Sequence, residues 1–285
     1  MPMLTSHLIK HFEEKFSLNI KSIKALNGGD INEVYFLDDH NKKYVVKINK
    51  AHLFPGMFKK EVSGLDALRE TGTIDVPKVL GYGDFETTSY LIVEFRESGK
   101  ASHKFWELFG QAMAALHLTT HETFGFKEDN YLGSLQQYNN SFETASQFFI
   151  HQRLMPQFKM ASDKGYVFKE LDSFCQKVEQ LVPNEPPALI HGDLWSGNYL
   201  VNSQNKPCLI DPAVAYAPRE MDLAMMKLFG GFDDRLFSAY DEAFQLKPDW
   251  KKRIKLWQLY YILAHLNLFG GHYYIQAKEI MSYYQ

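Results

Sequence analysis

The pattern of apolar and polar positions divides the chain into a strand-rich beginning and a helix-rich remainder. Residues 7–16 carry apolar side chains at helical spacing, which predicts an amphipathic helix. From 19 to 48 the pattern changes to short branched and aromatic runs separated by polar turns, which is typical of antiparallel strands. A predicted helix over about 57–70 is followed by two further runs, 76–81 and 90–95, that predict strands.

Beyond residue 100 helical periodicity dominates. The predicted helices cover about 102–119, 141–160, 165–182, 220–229 and 249–268. The exception is 188–211, where three short apolar runs, 188–190, 199–201 and 208–210, predict short strands. Strands first and helices later predict an α+β fold of two lobes. The expected lobes are a small antiparallel-sheet lobe over 1–96 and a mainly helical lobe over 97–285.

Composition and charge narrow the classes of function. The 285 residues include 31 Lys and Arg against 34 Asp and Glu, so the net charge of −3 leaves no basic excess for a nucleic-acid partner. No apolar run approaches the roughly 20 residues that cross a bilayer, and the first 15 residues lack the apolar stretch of a signal peptide. Two cysteines cannot build a disulfide framework. We therefore expect a soluble cytoplasmic protein without a membrane partner.

The strongest chemical signal is His-Gly-Asp-Leu-Trp-Ser-Gly-Asn at 191–198. A His, an Asp two residues later and an Asn five residues beyond that form the frame of a kinase catalytic loop. Phosphoryl transfer needs a carboxylate that accepts the proton of the acceptor hydroxyl, and oxygen ligands for magnesium nearby. Asp193 is the predicted proton acceptor, and Asn198 and Asp211 are the predicted Mg²⁺ ligands. Taken alone, 191–198 could be a strand-ending turn; Asp211 on the next hairpin favours catalysis. His191 is predicted to anchor the loop.

A second pair of residues, Lys47 and Glu61, fits the same chemistry. Lys47 lies in a run that is apolar on both sides, and Glu61 falls on the inward face of the helix predicted over 57–70. An inward carboxylate needs a partner, because an unpaired buried charge costs several kcal/mol. Separately, each residue could be an ordinary surface charge; together they indicate a strand lysine, held by a helix glutamate, that contacts ATP phosphates.

The turn before the second strand contains Gly28 and Gly29, followed by Asn32. Adjacent glycines allow a turn to lie close over phosphates and to present backbone N–H groups to them. The pattern is neither G-x-G-x-x-G nor G-x-x-x-x-G-K-[ST], which excludes Rossmann and P-loop sites here. Taken alone, it is a tight hairpin, and its position before Lys47 is what suggests nucleotide binding.

The run 90–95 ends the strand-rich part and joins the two predicted lobes. Such a connecting segment commonly lends backbone N–H and C=O groups to an adenine ring. Val93, Glu94 and Phe95 are therefore predicted to contact the cofactor, the last two through their main chain. An ordinary strand between lobes would have the same sequence.

A helix opens at 218–224, and its charged first turn lies shortly after the predicted metal site. Asp222 benefits from the helix dipole and is predicted to brace the catalytic loop. Arg219 and Glu220 are predicted to be structural. His117 and His265 lie on apolar helices and are predicted to pack rather than to bind a metal.

These segments together resemble the fructosamine kinase (ketosamine-3-kinase) family, a branch of the kinases similar to aminoglycoside phosphotransferases. The resembling residues are Gly28-Gly29-Asp30-Ile31-Asn32, Lys47, 58–68, Val76-Pro77-Lys78-Val79, 191–198, Ile210-Asp211-Pro212-Ala213, 219–225, Leu228-Phe229-Gly230-Gly231-Phe232 and His265-Leu266-Asn267-Leu268-Phe269-Gly270-Gly271. They span almost the whole chain. The Trp195 of the catalytic segment and the Phe-Gly-Gly segments are more specific to this family than to choline or aminoglycoside kinases.

The resemblance implies a two-lobed, protein-kinase-like fold, with a nucleotide-binding lobe over 1–96 and a catalytic and substrate-binding lobe over 97–285. It also implies ATP-dependent phosphorylation of the 3-hydroxyl of ketosamines, with Mg²⁺ as the metal. Carried to matching positions, it implies that Asp193 accepts the proton, that Asn198 and Asp211 bind magnesium, and that Lys47 and Glu61 hold phosphate. Trp195, beside the acceptor, is suggested to pack against the sugar.

Certain points stay open from the sequence. The family usually has Tyr-Tyr-Gly where this chain has Tyr216-Ala217-Pro218, so the role of that segment is undetermined. The acceptor could carry fructose or ribulose, and could be a small molecule or a glycated protein. We expect a monomer or weak dimer. The alternatives are a kinase of another hydroxylated amine, of the aminoglycoside or choline type, and a nucleotide-binding pseudokinase.

Overall fold

A computed structural model describes residues 4–26, 31–40 and 42–284. The chain opens with helix α1, Ser6–Phe16, whose first turn is capped by Thr5: the hydroxyl accepts a hydrogen bond of 3.2 Å from the Leu8 amide. The helix ends at Ser17, which adopts a left-handed conformation. Leu8 and Phe12 are fully buried against the sheet that follows.

The N-terminal sheet has five antiparallel strands in the order β1-β2-β3-β5-β4. Their bounds are β1 Ile20–Leu26, β2 Glu33–Asp39, β3 Lys42–Lys50, β4 Val79–Phe85 and β5 Thr88–Glu94. Because β3 is central, Val46 and Ile48 are completely buried, and Lys47 lies between them, opposite Val34 and Leu91. The strand thus carries one cation into the interior.

Helix α2, Met57–Glu70, connects β3 to β4 and packs its apolar face, which includes Phe58 and Leu65, between the sheet and the helical part. Gly64 lies where α2 packs closely against the segment that follows Asp211. A Cβ built there would lie 3.3 Å from carbon atoms of Pro212 and Val214. The glycine therefore lets α2 lie directly on the segment that follows Asp211.

The rest of the described chain is mainly helical, with short two-stranded sheets between the helices. The helices are α3 Phe105–His117, α4 Ala145–Phe148, α5 Met155–Asp163, α6 Leu171–Leu181, α7 Glu220–Leu228, α8 Asp234–Ala243, α9 Trp250–Phe269 and α10 Tyr273–Tyr284, with a π-helical segment Phe149–Leu154 between α4 and α5. The short strands are β6 Asn130–Leu132, β7 Leu135–Gln137, β8 Ala188–Ile190, β9 Tyr199–Val201, β10 Pro207–Leu209 and β11 Ala215–Ala217. They pair as β6 with β7, β8 with β11 and β9 with β10.

The predicted α+β fold with two lobes is confirmed, and several elements differ in detail. Helices α8 and α10 and the hairpin β6–β7 were not predicted. The predicted strand at 76–81 begins only at Val79, because the preceding residues turn toward the helical part, where Leu209 N donates to Asp75 O. The predicted helix at 141–160 is interrupted by the π-helical segment.

None of the helices in the described ranges is long and apolar enough to cross a bilayer. Both cysteines are free thiols, Cys208 buried and Cys175 half-buried.

Candidate active site

The predicted ion pair between Lys47 and Glu61 is present. The Lys47 Nζ lies 2.6 Å from Glu61 Oε1, and it also contacts the carboxylate of Asp211. Two carboxylates thus share one buried ammonium, and they come from a helix of the first lobe and a loop of the second. Strand β3, helix α2 and the second residue after β10 meet at this point.

The electrostatics of this cluster follow from its burial. Burial alone would lower the pKa of Lys47, but the neighbouring Asp211 and Glu61 carboxylates reverse this, and the lysine pKa is raised. Burial raises the pKa of Glu61, although Lys47 opposes the shift. Lys47 is therefore a permanent cation at neutral pH, held where a polyphosphate would need one.

Asp222 braces the catalytic loop, as predicted. Its Oδ2 accepts a 2.7 Å hydrogen bond from the His191 amide, and its Oδ1 accepts one of 2.8 Å from the Gly192 amide. Burial would raise the pKa of Asp222, but hydrogen bonding from His117 and the Gly192 amide holds it below its usual range. The carboxylate, which is completely buried at the start of α7, fixes the backbone just before Asp193.

His191 anchors the loop, also as predicted. Its Nε2 donates to the Ile210 carbonyl at 2.8 Å, and its Nδ1 accepts from the Asp193 amide at 3.2 Å. Burial lowers the pKa of this imidazole, which keeps it neutral. The side chain therefore ties the residues around Asp193 to the residue immediately before Asp211.

Asp193 and Asn198 face each other across the loop. The Asn198 Nδ2 donates to the Asp193 backbone carbonyl at 2.8 Å and to its Oδ2 at 3.2 Å. Burial, reinforced by the nearby charge of Asp211, raises the pKa of Asp193 well above its usual range. A carboxylate with a raised pKa is a better proton acceptor than an exposed one.

The oxygen atoms left at this site suit a magnesium ion. Both hydrogen bonds of the Asn198 amide go to Asp193, which leaves the Asn198 Oδ1 for a cation. Asp211 uses one carboxylate oxygen for Lys47 and retains the other. Within the described residues no three His, Cys, Asp or Glu side chains form a metal cage. Magnesium in kinases is bound by one or two protein oxygens together with phosphates, so this donor set fits it.

Trp195 lies on the outer side of the same loop, with 42% of its surface exposed. Its ring covers Gly197, where an added Cβ would lie 2.3 Å from the ring. A Cβ added at Gly231 would lie 2.5 Å from the Ser196 side chain. The indole therefore packs closely on Gly197, and the neighbouring Ser196 packs closely on Gly231.

The structure changes the interpretation of two predicted cofactor contacts at the end of β5, because the backbone N–H groups of Glu94 and Phe95 already have hydrogen-bond partners. The Glu94 amide donates to Lys78 O at 2.8 Å, and the Phe95 amide donates to Lys43 O at 3.0 Å. Val93 pairs with strands on both sides. These two N–H groups are used within the sheet, so they are not free for an adenine ring as placed.

Asn32 is tied to β3 rather than left free. Its Oδ1 accepts a 3.0 Å hydrogen bond from Asn49 Nδ2, two residues beyond Lys47. Gly28 and Gly29 lie outside the described residues.

Three contacts that position the catalytic segments could not be identified from the sequence. The Tyr261 hydroxyl of α9 donates to the Gly192 carbonyl at 3.1 Å. Asn130 and Gln137, in the hairpin β6–β7, donate to the carbonyls of Val214 and Ala213, at 2.8 and 3.0 Å. Tyrosine, asparagine and glutamine at such distances in sequence give no local signal.

Arg219 and Glu220 are structural, as predicted. Arg219 pairs with Glu185 at 2.6 Å, and Glu220 accepts from Arg253 at 2.6 Å and from the Trp257 indole at 2.8 Å. His117 is buried against Tyr240 and Asp222, and His265 bonds the Tyr261 carbonyl. Neither histidine joins a metal cluster among the described residues.

A five-stranded sheet carrying a buried Lys–Glu pair, above a helical lobe with an Asp/Asn loop and a second Asp, defines a phosphotransferase of the kinase-like class. The chain belongs to the fructosamine kinase family, whose model matches residues 1–284. The predictions of this family and of a ketosamine kinase are confirmed by this match.

Individual relatives agree. A probable ketoamine kinase of Synechocystis is 38% identical over 266 residues, covering 92% of this chain and 90% of the relative. A chloroplastic protein-ribulosamine 3-kinase of Arabidopsis thaliana is 34% identical, covering 93% and 83%.

Solved structures show the same relationship. A putative fructosamine-3-kinase of Thermobifida fusca superposes with a TM-score of 0.87 at 30% identity, covering 98% of this chain and 99% of its own. A spectinomycin phosphotransferase in complex with ADP superposes at 0.62 with 15% identity, covering 100% and 94%, which shows the fold alone.

Proposed function

We propose that this chain transfers the terminal phosphoryl group of ATP to the 3-hydroxyl of ketosamines, the adducts formed when sugars glycate amines. The observation that carries the proposal is the meeting of Lys47, Glu61 and Asp211 beside the Asp193–Asn198 loop. A phosphate on the carbon next to the ketose carbonyl is a leaving group, so the adduct breaks down and the amine is released. The activity would therefore be a repair of glycation.

Each residue then has a distinct task. Lys47, fixed by Glu61, holds the phosphates of the nucleotide. Asp193 accepts the proton of the sugar hydroxyl, and its raised pKa suits that task. The Asn198 Oδ1 and the second Asp211 oxygen would hold Mg²⁺, which supplies charge neutralisation between the phosphates. The exposed Trp195 ring offers a face on which the sugar packs.

The N–H groups of Glu94 and Phe95 already donate hydrogen bonds within the protein. Adenine would therefore contact the neighbouring backbone carbonyls and the backbone after Phe95. Gly28 and Gly29 remain predicted contacts of the nucleotide phosphates. We assign nucleotide binding to 1–96 and acceptor binding to 97–285, with the acceptor either a free ketosamine or a glycated protein side chain.

The test is an acceptor assay with purified protein, Mg-ATP, and ribuloselysine, fructoselysine, a glycated protein and an aminoglycoside as separate acceptors. We expect ADP release with one or more ketosamines, phosphate on O3 by NMR, and a loss of at least about 100-fold in kcat for Asp193→Asn. Asp163→Asn is the matched control, because that carboxylate only pairs on the surface with Lys159.

Transfer to the aminoglycoside alone would contradict the substrate class. Nucleotide binding without turnover of any acceptor would favour the pseudokinase instead.

A further inference from the structure

The carboxylate of Asp75 joins three segments that are far apart in sequence. Asp75 lies in the loop between α2 and β4, outside the site described above. Its Oδ1 accepts a 3.0 Å hydrogen bond from Arg96 Nη2, and its Oδ2 accepts one of 2.8 Å from Asn202 Nδ2. Both oxygens are thus used, one by the segment that connects the lobes and one by the helical lobe.

The backbone of Asp75 makes a third attachment. Its carbonyl accepts a 2.9 Å hydrogen bond from the Leu209 amide, and it pairs with Cys208 as an isolated parallel bridge. The Cys208 thiol is fully buried beside Asp75 and Arg96. The backbone of Asp75 therefore pairs with the end of β10. Its hydrogen-bond donor, Leu209, lies two residues before Asp211.

The segments attached to Asp75 are those that the adenine and phosphate ends of a nucleotide would contact. Arg96 directly follows the end of β5, and it also bonds Glu94 at 2.8 Å and the Val76 carbonyl at 3.3 Å. The hairpin of β9 and β10 begins after Asn198 and ends before Asp211. Asp75 consequently joins the segment after β5 to the hairpin that lies between Asn198 and Asp211.

We infer that Asp75 is a positioning residue, which sets the separation between the connecting segment at Arg96 and the hairpin that carries Asn198 and Asp211. The inference rests on the proposed phosphoryl transfer and assigns to Asp75 no contact with substrate. Two features make the arrangement specific. Both partners are donors, so only a group with two acceptors satisfies them. The connecting segment also has no room to shift, because a Cβ at Gly99 would lie 2.1 Å from the Asn202 carbonyl.

The test uses Asp75→Asn, which keeps size and shape but replaces one acceptor with a donor. Its amide can satisfy Arg96 or Asn202, and the other partner then faces a second donor. We expect an approximately tenfold rise in the Kd for Mg-ADP by calorimetry, an increased Mg²⁺ requirement, and an unchanged KM for the acceptor. Asp66→Asn is the control, because Asp66 only pairs with Arg69 on the surface of α2.

A swap variant separates positioning from general stability. In Asp75→Asn with Asn202→Asp, the new amide accepts from Arg96 and donates to the new carboxylate. That carboxylate can still accept from the amides of Gln204 and Lys206, as Asn202 does at 3.0 and 2.9 Å. We expect the swap to recover most of the Mg-ADP affinity.

A drop in melting temperature with unchanged Mg-ADP affinity and Mg²⁺ dependence would overturn the inference, as would a swap that recovers stability but not affinity. If Asp75→Asn does not fold, the swap variant alone decides in the same way. Mg-ADP binding is measured without an acceptor, so a wrong substrate class would show in the acceptor assay and leave this result intact.

Discussion

At the scale of single residues, Lys47 contacts a carboxylate from each of the two lobes, Glu61 and Asp211. Its position in a buried central strand and the inward face of Glu61 were both visible in the hydrophobic pattern, so this pair could be predicted from the sequence. The contact of the same ammonium with Asp211, 164 positions away, depends on the tertiary fold. The sequence suggested the chemistry of Asp211, and the structure supplies the contact.

Removing Lys47 should separate activity from stability. Lys47→Ala is expected to lose most activity, about 100-fold or more, and about 3 kcal/mol of stability, because Glu61, whose side chain is only 12% exposed, is left unpaired. Adding Glu61→Gln should restore much of the melting temperature without restoring activity. Thermal unfolding and ADP release measure the two effects, and Lys43→Ala, on the same strand but paired at the surface with Glu97, is the control.

The stability of Lys47→Ala should also depend on pH with a definite sign. Burial raises the pKa of Glu61, so the charged form is the unfavourable one in the folded state. The deficit relative to the native chain should therefore shrink as the pH falls and Glu61 takes up a proton. A deficit that grows as the pH falls, or recovery of activity in the double variant, would contradict this account.

At the scale of elements, long periodic helices and the central strands were predictable, whereas α8, α10 and the hairpin β6–β7 were not. Short strands have no period long enough to recognise, and the hairpin is held by Asn130 and Gln137, whose partners lie about 80 positions away. For the same reason the hydrogen bond between Asp75 and Asn202, which are 127 positions apart, could not be predicted from the sequence. Local pattern identifies an element, but its neighbours are set by packing.

Helix α2 offers a test of how closely its position controls the site. Gly64→Ala should be almost neutral, because the gain of roughly 1 kcal/mol in helix propensity offsets a contact of 3.3 Å with Pro212 and Val214. Gly64→Val adds two further carbons and should displace the helix that carries Glu61. We expect about 2 kcal/mol lower stability and a lower kcat.

Chemical denaturation and steady-state kinetics measure this pair of variants. Equal behaviour of the two would show that the close approach at Gly64 does not matter for the position of α2.

At the scale of the whole molecule, the fold class and the family could be predicted because the motifs occur along nearly the entire chain and agree with one another. The division of labour between 1–96 and 97–285, and the oligomeric state, remain predictions. The way the lobes are joined was not predictable, since it depends on individual contacts such as those of Arg96 and Asp75.

The enzyme as a whole should resist thiol oxidants. The turn with Gly28 and Gly29 continues with Asp30 and contains no cysteine. Burial raises the pKa of Cys208 to about 12 and also raises that of Cys175, so neither forms the reactive thiolate readily. Peroxide treatment should leave nearly all kinase activity. A strong loss that is reversed by a reductant would contradict this expectation.

The shared ammonium of Lys47 has a consequence for how nucleotide enters. Because two carboxylates already contact it, the phosphates of a bound nucleotide would compete with Asp211 for the same ammonium. Glu61 would still pair with Lys47, and an Asp211 relieved of that pairing would have both of its oxygens available for a divalent cation. In the proposed function, nucleotide and metal are therefore expected to bind cooperatively.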